Sequence, residues 1–452
     1  MVEPLDDGTD LVKAWLEDHL GPVATIRRQP RWRPVWFADV DRGGEVMELC
    51  VRGDRTDMPL IFPLDHEMRF QSLLHDHGIP TARVYGWIDT PKAYVMDRVP
   101  GRSDFSGASE AERDAVVDDY LQVLARLHAL EVEEFEAAGI ASSTPSESGL
   151  VGLRAYERVY RSTKRRPDPF MEFCLGWLRR NPPTSHGRRA PVVWDSGQFH
   201  HLGGKIAAVL DLEIGHIGDP MMDLAGWRMR DTIVGYGEFG KLYDRYAELT
   251  GQPVDIDAIQ IHHFAFTLTN QLALGAAAKD PTPESDMMTN LQWCCETNLF
   301  ATEALADMLG IELPTVDMPE PTTTRAATGH AHLVRRLRTL EADDEFVRYQ
   351  LRAAFRLARH LERAQEIGWA LDQADLDDLH RLLGRRPPSW QEGDAELERF
   401  VLADAGAGRH DEDLVQLFHR RNLRAQMLLG PPGSAMARHL PIQRFHPAAA
   451  PR

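Results

Sequence analysis

Cysteine and lysine are both scarce in this chain of 452 residues. The four cysteines, Cys50, Cys174, Cys294 and Cys295, show neither CxxC nor Cys/His spacing. That excludes a disulfide framework and a zinc site built on them. Long apolar runs are also lacking, since none reaches the ~18–20 residues of a membrane span. The best candidate, Phe264 to Ala278, is interrupted by Thr267, Thr269, Asn270 and Gln271. The opening MVEPLDDGTD is acidic where a secretory signal would be basic and then apolar. The expectation is a soluble, cytoplasmic protein with no membrane partner. Only six lysines occur, Lys13, Lys92, Lys164, Lys205, Lys241 and Lys279, and arginine takes every other basic position.

The net charge is −18 and is unevenly spread. Residues 1–320 carry −20, whereas Pro321 to Arg452 carry +2 with no lysine at all. Such acidity argues against nucleic acid as a partner, because phosphate contacts need a basic footprint. The apolar fraction of 43% is enough to build cores.

The first hundred residues alternate between helical and extended patterns. Residues 9–20 place Leu11, Trp15 and Leu20 on one helical face. Short β-branched and aromatic runs follow at 23–27, 35–40 and 46–52, the last two joined by a hairpin turn at Asp41-Arg42-Gly43-Gly44. A helix over 63–77 sets Leu64, Phe70 and Leu74 on one face, together with the charged Glu67. Strands at 83–88 and 93–97 complete a small antiparallel sheet. Beyond Gly101 the pattern is mainly helical, except for strand-like runs at 192–195 and 205–212. Residues 313–328, rich in Pro and Thr, read as a linker. The expected organisation is 1–98 as an N-terminal lobe that binds nucleotide, 99–312 as a helical lobe with the catalytic and metal loops, the linker, and 329–452 as a helical C-terminal domain. The tail from Gly430 reads as loosely ordered.

The densest polar cluster holds Asp195, His200, His201, Asp211, Glu213, His216, Asp219 and Asp223. Asp195 and Asp211 each end an apolar, strand-like run. Carboxylates at the same ends of paired strands can converge on one point. A hard divalent cation such as Mg²⁺ suits such a pair, taking one or two carboxylates plus substrate phosphates.

Here the chain resembles the aminoglycoside phosphotransferase/choline kinase superfamily, closest to the kinase domains associated with acyl-CoA dehydrogenases. The motifs carrying the resemblance are LDLE at 210–213, GDPMMDLA at 218–225, Glu67 within LDHEMRFQSLL, AYVMDRVPG and LARLHAL. The resemblance covers about residues 10–310. It implies an α+β, bilobal protein-kinase-like fold followed by an extra helical C-terminal domain. It further implies transfer of the γ-phosphoryl group of ATP or GTP to a hydroxyl of a small molecule. Carried over by position, Asp195 is the catalytic Asp that accepts or orients the hydroxyl proton. Asp211 is the Mg²⁺ ligand. Glu67 anchors the basic residue of the third strand. Met96, Asp97 and Val99 lie in the hinge where adenine would sit. Asp219 and Asp223 brace the loop.

Several positions depart from the superfamily pattern. The HGD triplet is Val193-Trp194-Asp195. The Asn of HGDxxxxN, a further metal ligand, falls on His200, whose imidazole suits Mn²⁺ or Zn²⁺ better than Mg²⁺. Gln198 is the rival ligand, through its amide oxygen. No lysine lies between Lys13 and Lys92, so Arg52 takes the place of the strand lysine and would pair with Glu67 and bind phosphate. The loop between the first two strands, RRQPRWRP, lacks glycine; Arg27, Arg28, Arg31 and Arg33 would reach phosphate or a coenzyme tail through charge. Two other readings stand beside the kinase. One is a catalytically impaired pseudokinase that binds nucleotide or scaffolds a partner. The other is a metal hydrolase using His200, His201, Asp211 and His216. The acceptor and the oligomeric state are not legible.

Overall fold

The computed structural model describes residues 8–55, 58–183, 187–283 and 285–445. The first seven residues, where the targeting reading begins, and the last seven of the tail lie outside them. The chain divides into two compact units that interleave along the sequence. One comprises residues up to 155 with 184–256, the other 156–183 with 257 onward.

The first unit begins with helix α1 (Thr9–His19) and a five-stranded antiparallel sheet. Its strands are β1 (Val23–Arg28), β2 (Val35–Arg42), β3 (Glu45–Gly53), β4 (Val84–Asp89) and β5 (Lys92–Asp97), in the order β1-β2-β3-β5-β4. Alternation along each strand divides its residues between two faces. Ala38, Val40, Leu49, Val51, Ala93 and Val95 join Val12 and Leu16 of α1 in one buried cluster. The residues between them, Arg52 and Tyr94 included, project from the opposite face. There helix α2 (Leu64–Asp76) buries Glu67, Phe70, Gln71 and Leu74.

The rest of this unit is mainly helical, including α3 (Glu110–Leu127) and α4 (Met221–Val234). Two short ribbons interrupt it. The run expected to pair as one hairpin, 192–195 with 205–212, is divided between them. β6 (Ala190–Val192) pairs with β9 (His216–Gly218), and β7 (Phe199–Leu202) pairs with β8 (Lys205–Val209). The reason lies in the turn. Gly203 and Gly204 both take positive φ, which closes a two-residue hairpin directly after Leu202. Residues 193–198 and 210–215 are thereby left free to form loops.

The second unit is helical. Its helices include Pro169–Arg180, Thr269–Lys279, Met287–Leu309, Ala327–Arg338, Glu345–Arg363, Trp369–Leu383, Trp390–Asp404 and Asp411–Met427. Asp168, Asp286, Asp344 and Ser389 cap four of them, each accepting a backbone N–H three residues on. Phe173 stacks on Phe418, Phe170 packs against it at a tilt, and Trp177 meets Phe264 edge-on. Helices on both sides of the 313–328 segment therefore belong to one unit. The α+β class expected from the sequence is borne out, with a small antiparallel N-terminal sheet, a mainly helical remainder and additional C-terminal helices. No helix among the described residues is long and apolar enough to cross a membrane.

Candidate active site

The site is assembled in the first unit from both halves of its chain. On β3, the alternation that buries Leu49 and Val51 against α1 turns Arg52 toward α2. Arg52 Nε lies 2.8 Å from Glu67 Oε1. The Tyr94 hydroxyl, opposite Arg52 on β5, donates to the same carboxylate oxygen at 3.3 Å. Burial opposes charge on both partners. It raises the pKa of Glu67. At Arg52 the penalty is outweighed by Glu67 and then Asp211, which hold the guanidinium well above its ordinary pKa.

The second half contributes two loops in unusual backbone conformations. Among the described residues, Trp194 and Asp211 are the non-glycine residues with positive φ, at 63° and 56°. Such a conformation costs about 1–3 kcal/mol and persists only where the surroundings fix it. The Asp223 carboxylate does so at the first loop, accepting Val193 N–H at 3.1 Å and Trp194 N–H at 2.6 Å. His128 holds Asp223 in turn, its Nε2 lying 3.0 Å away. A Cβ on Gly226 would stand 2.1 Å from the Trp194 carbonyl oxygen, so only glycine lets α4 come this close. The loop is therefore braced by α3 and α4 immediately before Asp195.

The two halves meet at the carboxylates. Arg52 Nη2 donates to Asp211 Oδ1 at 2.9 Å. Gln198 Nε2 donates both to Asp195 Oδ2 at 2.7 Å and to Asp211 Oδ2 at 3.0 Å. Arg33, fully buried, pairs with Glu213 at 2.9 Å and lies 3.8 Å from Glu67. Arg230 of α4 donates to Asp195 Oδ1. Burial raises the pKa of Asp195 against the pull of Arg230. At Asp211 burial also pushes upward, but Arg52, Arg33 and the Gln198 amide together bring the pKa below its usual value. Two carboxylates that share one amide nitrogen thus have their proton affinities driven apart.

The structure brings together Asp195, Asp211, Gln198, Arg52 and Glu67 as the sequence placed them. It does not bring His200 to them. His200 lies on β7 with its Nδ1 3.3 Å from the Val99 carbonyl oxygen, because the strand starts at Phe199 and points the ring toward the segment after β5. The preference for Mn²⁺ argued from that imidazole loses its basis. The hydrolase quartet is also dispersed. His201 Nε2 faces the Asp104 carbonyl, and the fully buried His216, its pKa lowered to about 4 by burial, uses Nδ1 on the Ile214 carbonyl. No group of three or more His, Cys, Asp or Glu able to hold a metal occurs among the described residues. In the hinge, Met96 Sδ faces the Gln71 amide, and Asp97 uses its N–H on the Arg83 carbonyl and its carboxylate on the Tyr85 hydroxyl.

Sequence reasoning missed Arg230. Its only signal was an arginine seven residues beyond Asp223 on the same helix, the spacing that returns to one helical face after two turns. Arg33 was read as a phosphate contact, yet it is occupied with Glu213 and Glu67.

Residues 34–251 match the model of the family described as Phosphotransferase enzyme family. Acyl-CoA dehydrogenase family member 11 of Homo sapiens is 27% identical over 281 residues, which is 56% of this chain and 34% of that protein. The Mus musculus protein of the same name is 26% identical over 236 residues, covering 47% of this chain and 30% of its own. The chain spans about a third of the length of these curated relatives. Among solved structures, choline kinase LicA from Streptococcus pneumoniae aligns with a TM-score of 0.46 at 14% identity, over 64% of this chain and 97% of that one. Macrolide 2'-phosphotransferase MphH from Brachybacterium faecium aligns with a TM-score of 0.43 at 20% identity, over 61% and 100%.

Proposed function

We propose, from the match of residues 34–251 to the model of the phosphotransferase enzyme family, that this chain is an ATP- or GTP-dependent kinase of a small-molecule hydroxyl. The observation that carries the reading is the convergence of Asp195 and Asp211 on one nitrogen of Gln198. Phosphoryl transfer asks little covalent chemistry of a protein and depends on positioning and charge neutralisation.

The family implies a divalent cation, and the residues fit one. The Gln198 amide nitrogen stands as a donor between two carboxylate oxygens, the place a cation would take. Turning that amide would offer its oxygen instead, giving the hard oxygen set that Mg²⁺ prefers. Asp211 with Gln198 would hold Mg²⁺, which when bound would neutralise charge on the nucleotide phosphates. Every other role belongs to side chains of this protein. Arg52, aligned by Glu67, binds the phosphates in place of a lysine; its planar guanidinium offers two donors where an ammonium offers a point charge. Met96, Asp97 and Val99 border the adenine position. Asp195 orients the acceptor hydroxyl and takes its proton at Oδ2 once Gln198 has turned away. The acceptor oxygen bonds to the γ-phosphorus as the bond to the β,γ-bridging oxygen breaks, and the electron pair leaves with the nucleoside diphosphate.

One observation favours the pseudokinase reading: Arg52 and Gln198 already satisfy both carboxylates, so a cation must compete with groups of the protein itself. Acceptor-dependent release of ADP or GDP, measured across a set of hydroxylated small molecules, separates the two readings. The kinase reading expects release that requires both Mg²⁺ and an acceptor, with one phosphoryl group added to the alcohol. Nucleotide binding without release for any alcohol would favour the pseudokinase.

A further inference from the structure

In the second unit, the helices Ala327–Arg338 and Glu345–Arg363 pack side by side as a hairpin. Val334 and Ala358 are buried along their length, whereas nearer the turn a cavity of about 330 Å³ opens between them. That volume falls within the ~300–1,000 Å³ usual for small-molecule sites. Leu337, Leu340, Leu351 and Phe355 make its wall apolar, and Leu340 at its mouth is 40% exposed. The rest of the lining is Arg338, Arg348 and Arg352, with no carboxylate. Sequence spacing sets this mixture. Arg348, Leu351, Arg352 and Phe355 recur at i, i+3, i+4 and i+7, so they share one face of their helix.

The three arginines are not equally occupied. Arg348 Nη1 donates to the carbonyls of Ala342 and Asp343 at 3.2 and 3.1 Å, and its Nη2 lies 3.7 Å from Glu345. The Arg338 guanidinium sits over the Phe355 ring, 5.6 Å from its centroid. Stacking uses the face of a guanidinium and leaves its in-plane N–H donors available. Arg352 pairs with no carboxylate among the described residues. The acids nearby, Glu341, Asp343, Asp344 and Glu345, stand at the tip of the hairpin and outside the cavity lining. This separation of charge selects the occupant. An anionic membrane or an acidic helix laid across the hairpin would meet those four carboxylates, whereas a small molecule inside the cavity meets arginines alone. A neutral apolar guest would take water from the guanidinium groups without replacing its hydrogen bonds, and a cation would be repelled. An apolar body that ends in an anion satisfies both the wall and the arginines.

We propose that this hairpin cavity is a binding site for a free amphipathic carboxylate. Its linear apolar body lies against Leu337, Leu340, Leu351 and Phe355, and its carboxylate is held by the donors of Arg352 and Arg338. Neither the binding nor its test depends on the kinase reading, since every residue involved lies in the second unit, away from Asp195 and Asp211 in the first.

The test titrates decanoate, decanol and decylamine into the full chain by calorimetry, below the concentrations at which they form micelles. The three share one apolar body and differ in the charge of the head group. Decanoate is expected to bind saturably at one site, decanol about ten-fold or more weaker, the scale of a lost charge-assisted hydrogen bond, and decylamine not measurably. Arg352→Glu should weaken decanoate about ten-fold or more, and Leu340→Glu, which puts a carboxylate at the mouth, should do the same. Both positions are exposed, so the unfolding midpoint of each variant should match that of wild type. Absence of saturable decanoate binding, equal affinity for the three compounds, or decanoate affinity unaltered in both variants overturns the proposal. Binding of wild type to phosphatidylserine vesicles that Leu340→Glu abolishes, or a dimer in sedimentation that it dissociates, also overturns it, because either result assigns the cavity to another occupant.

Discussion

Replacing Asp195 with Asn should lower kcat by about 10²–10⁴-fold, the usual contribution of a positioned general base. The affinity for Mg²⁺-nucleotide should stay within a few-fold of wild type. The reasons are geometric. Asp195 touches Gln198 and Arg230. Arg52, which the kinase reading assigns to the phosphates, instead touches Glu67 and Asp211. Asn preserves the shape and can still accept from Gln198, but it cannot take a proton. The burial that raises the pKa of Asp195 makes that proton easier to accept, and the variant gives up this advantage entirely. Calorimetry for nucleotide and a coupled assay for ADP separate the two effects. Turnover retained within ten-fold would mean that Asp195 is a structural partner of Arg230 and not the base.

Glu67→Ala should be the most damaging change to the N-terminal half. It removes the closest partner of a buried guanidinium, and breaking a buried pair from one side typically costs 3–5 kcal/mol. Asp211 remains 2.9 Å from Arg52 and would soften the loss toward the lower end. At roughly 2–4 °C per kcal/mol for a unit of this size, the unfolding midpoint should fall by roughly 6–12 °C. Arg52 would then swing to Asp211, and nucleotide affinity should drop at least ten-fold. The double variant Arg52→Ala/Glu67→Ala removes both charges and should recover part of the stability, giving a clear coupling energy in the thermal cycle. Additive losses would show that the pair is not coupled, and the placement of Arg52 would need another cause.

Much of this could be read from the chain because the signals were local. The five strands and α2 follow from β-branched runs, a turn and an apolar stripe. Glu67 stood out as a charge within that stripe, the family resemblance implied its basic partner on the third strand, and the absence of lysine between Lys13 and Lys92 left Arg52 to supply it. Asp195 and Asp211 were legible from motif spacing, but the reason they converge was not. They were assigned to one hairpin, whereas β6 pairs with β9 and β7 with β8. The convergence instead comes from two left-handed residues, Asp211, of a type enriched at positive φ, and Trp194, of a type that rarely adopts it. No periodicity reports that conformation. His200 was misplaced for a related reason: it was read within the connection between two runs, whereas it lies on strand β7 with its ring facing the Val99 carbonyl. Arg230 escaped because its partner, Asp195, lies on a different element 35 residues away in the chain.

In the proposed kinase, Asp211, with Gln198 and the Arg52–Glu67 pair, forms the site for metal-bound nucleotide. Titration of ATP and GTP into wild type and Asp211→Asn, with and without Mg²⁺, addresses it most directly. The account predicts binding to wild type that requires Mg²⁺ and is lost in Asp211→Asn. At 100-fold the dissociation constant, bound nucleotide should also stabilise the wild-type fold by about 2.7 kcal/mol, visible as a thermal shift that the variant lacks. Failure of wild type to bind either nucleotide, or binding that ignores both Mg²⁺ and Asp211, would contradict it.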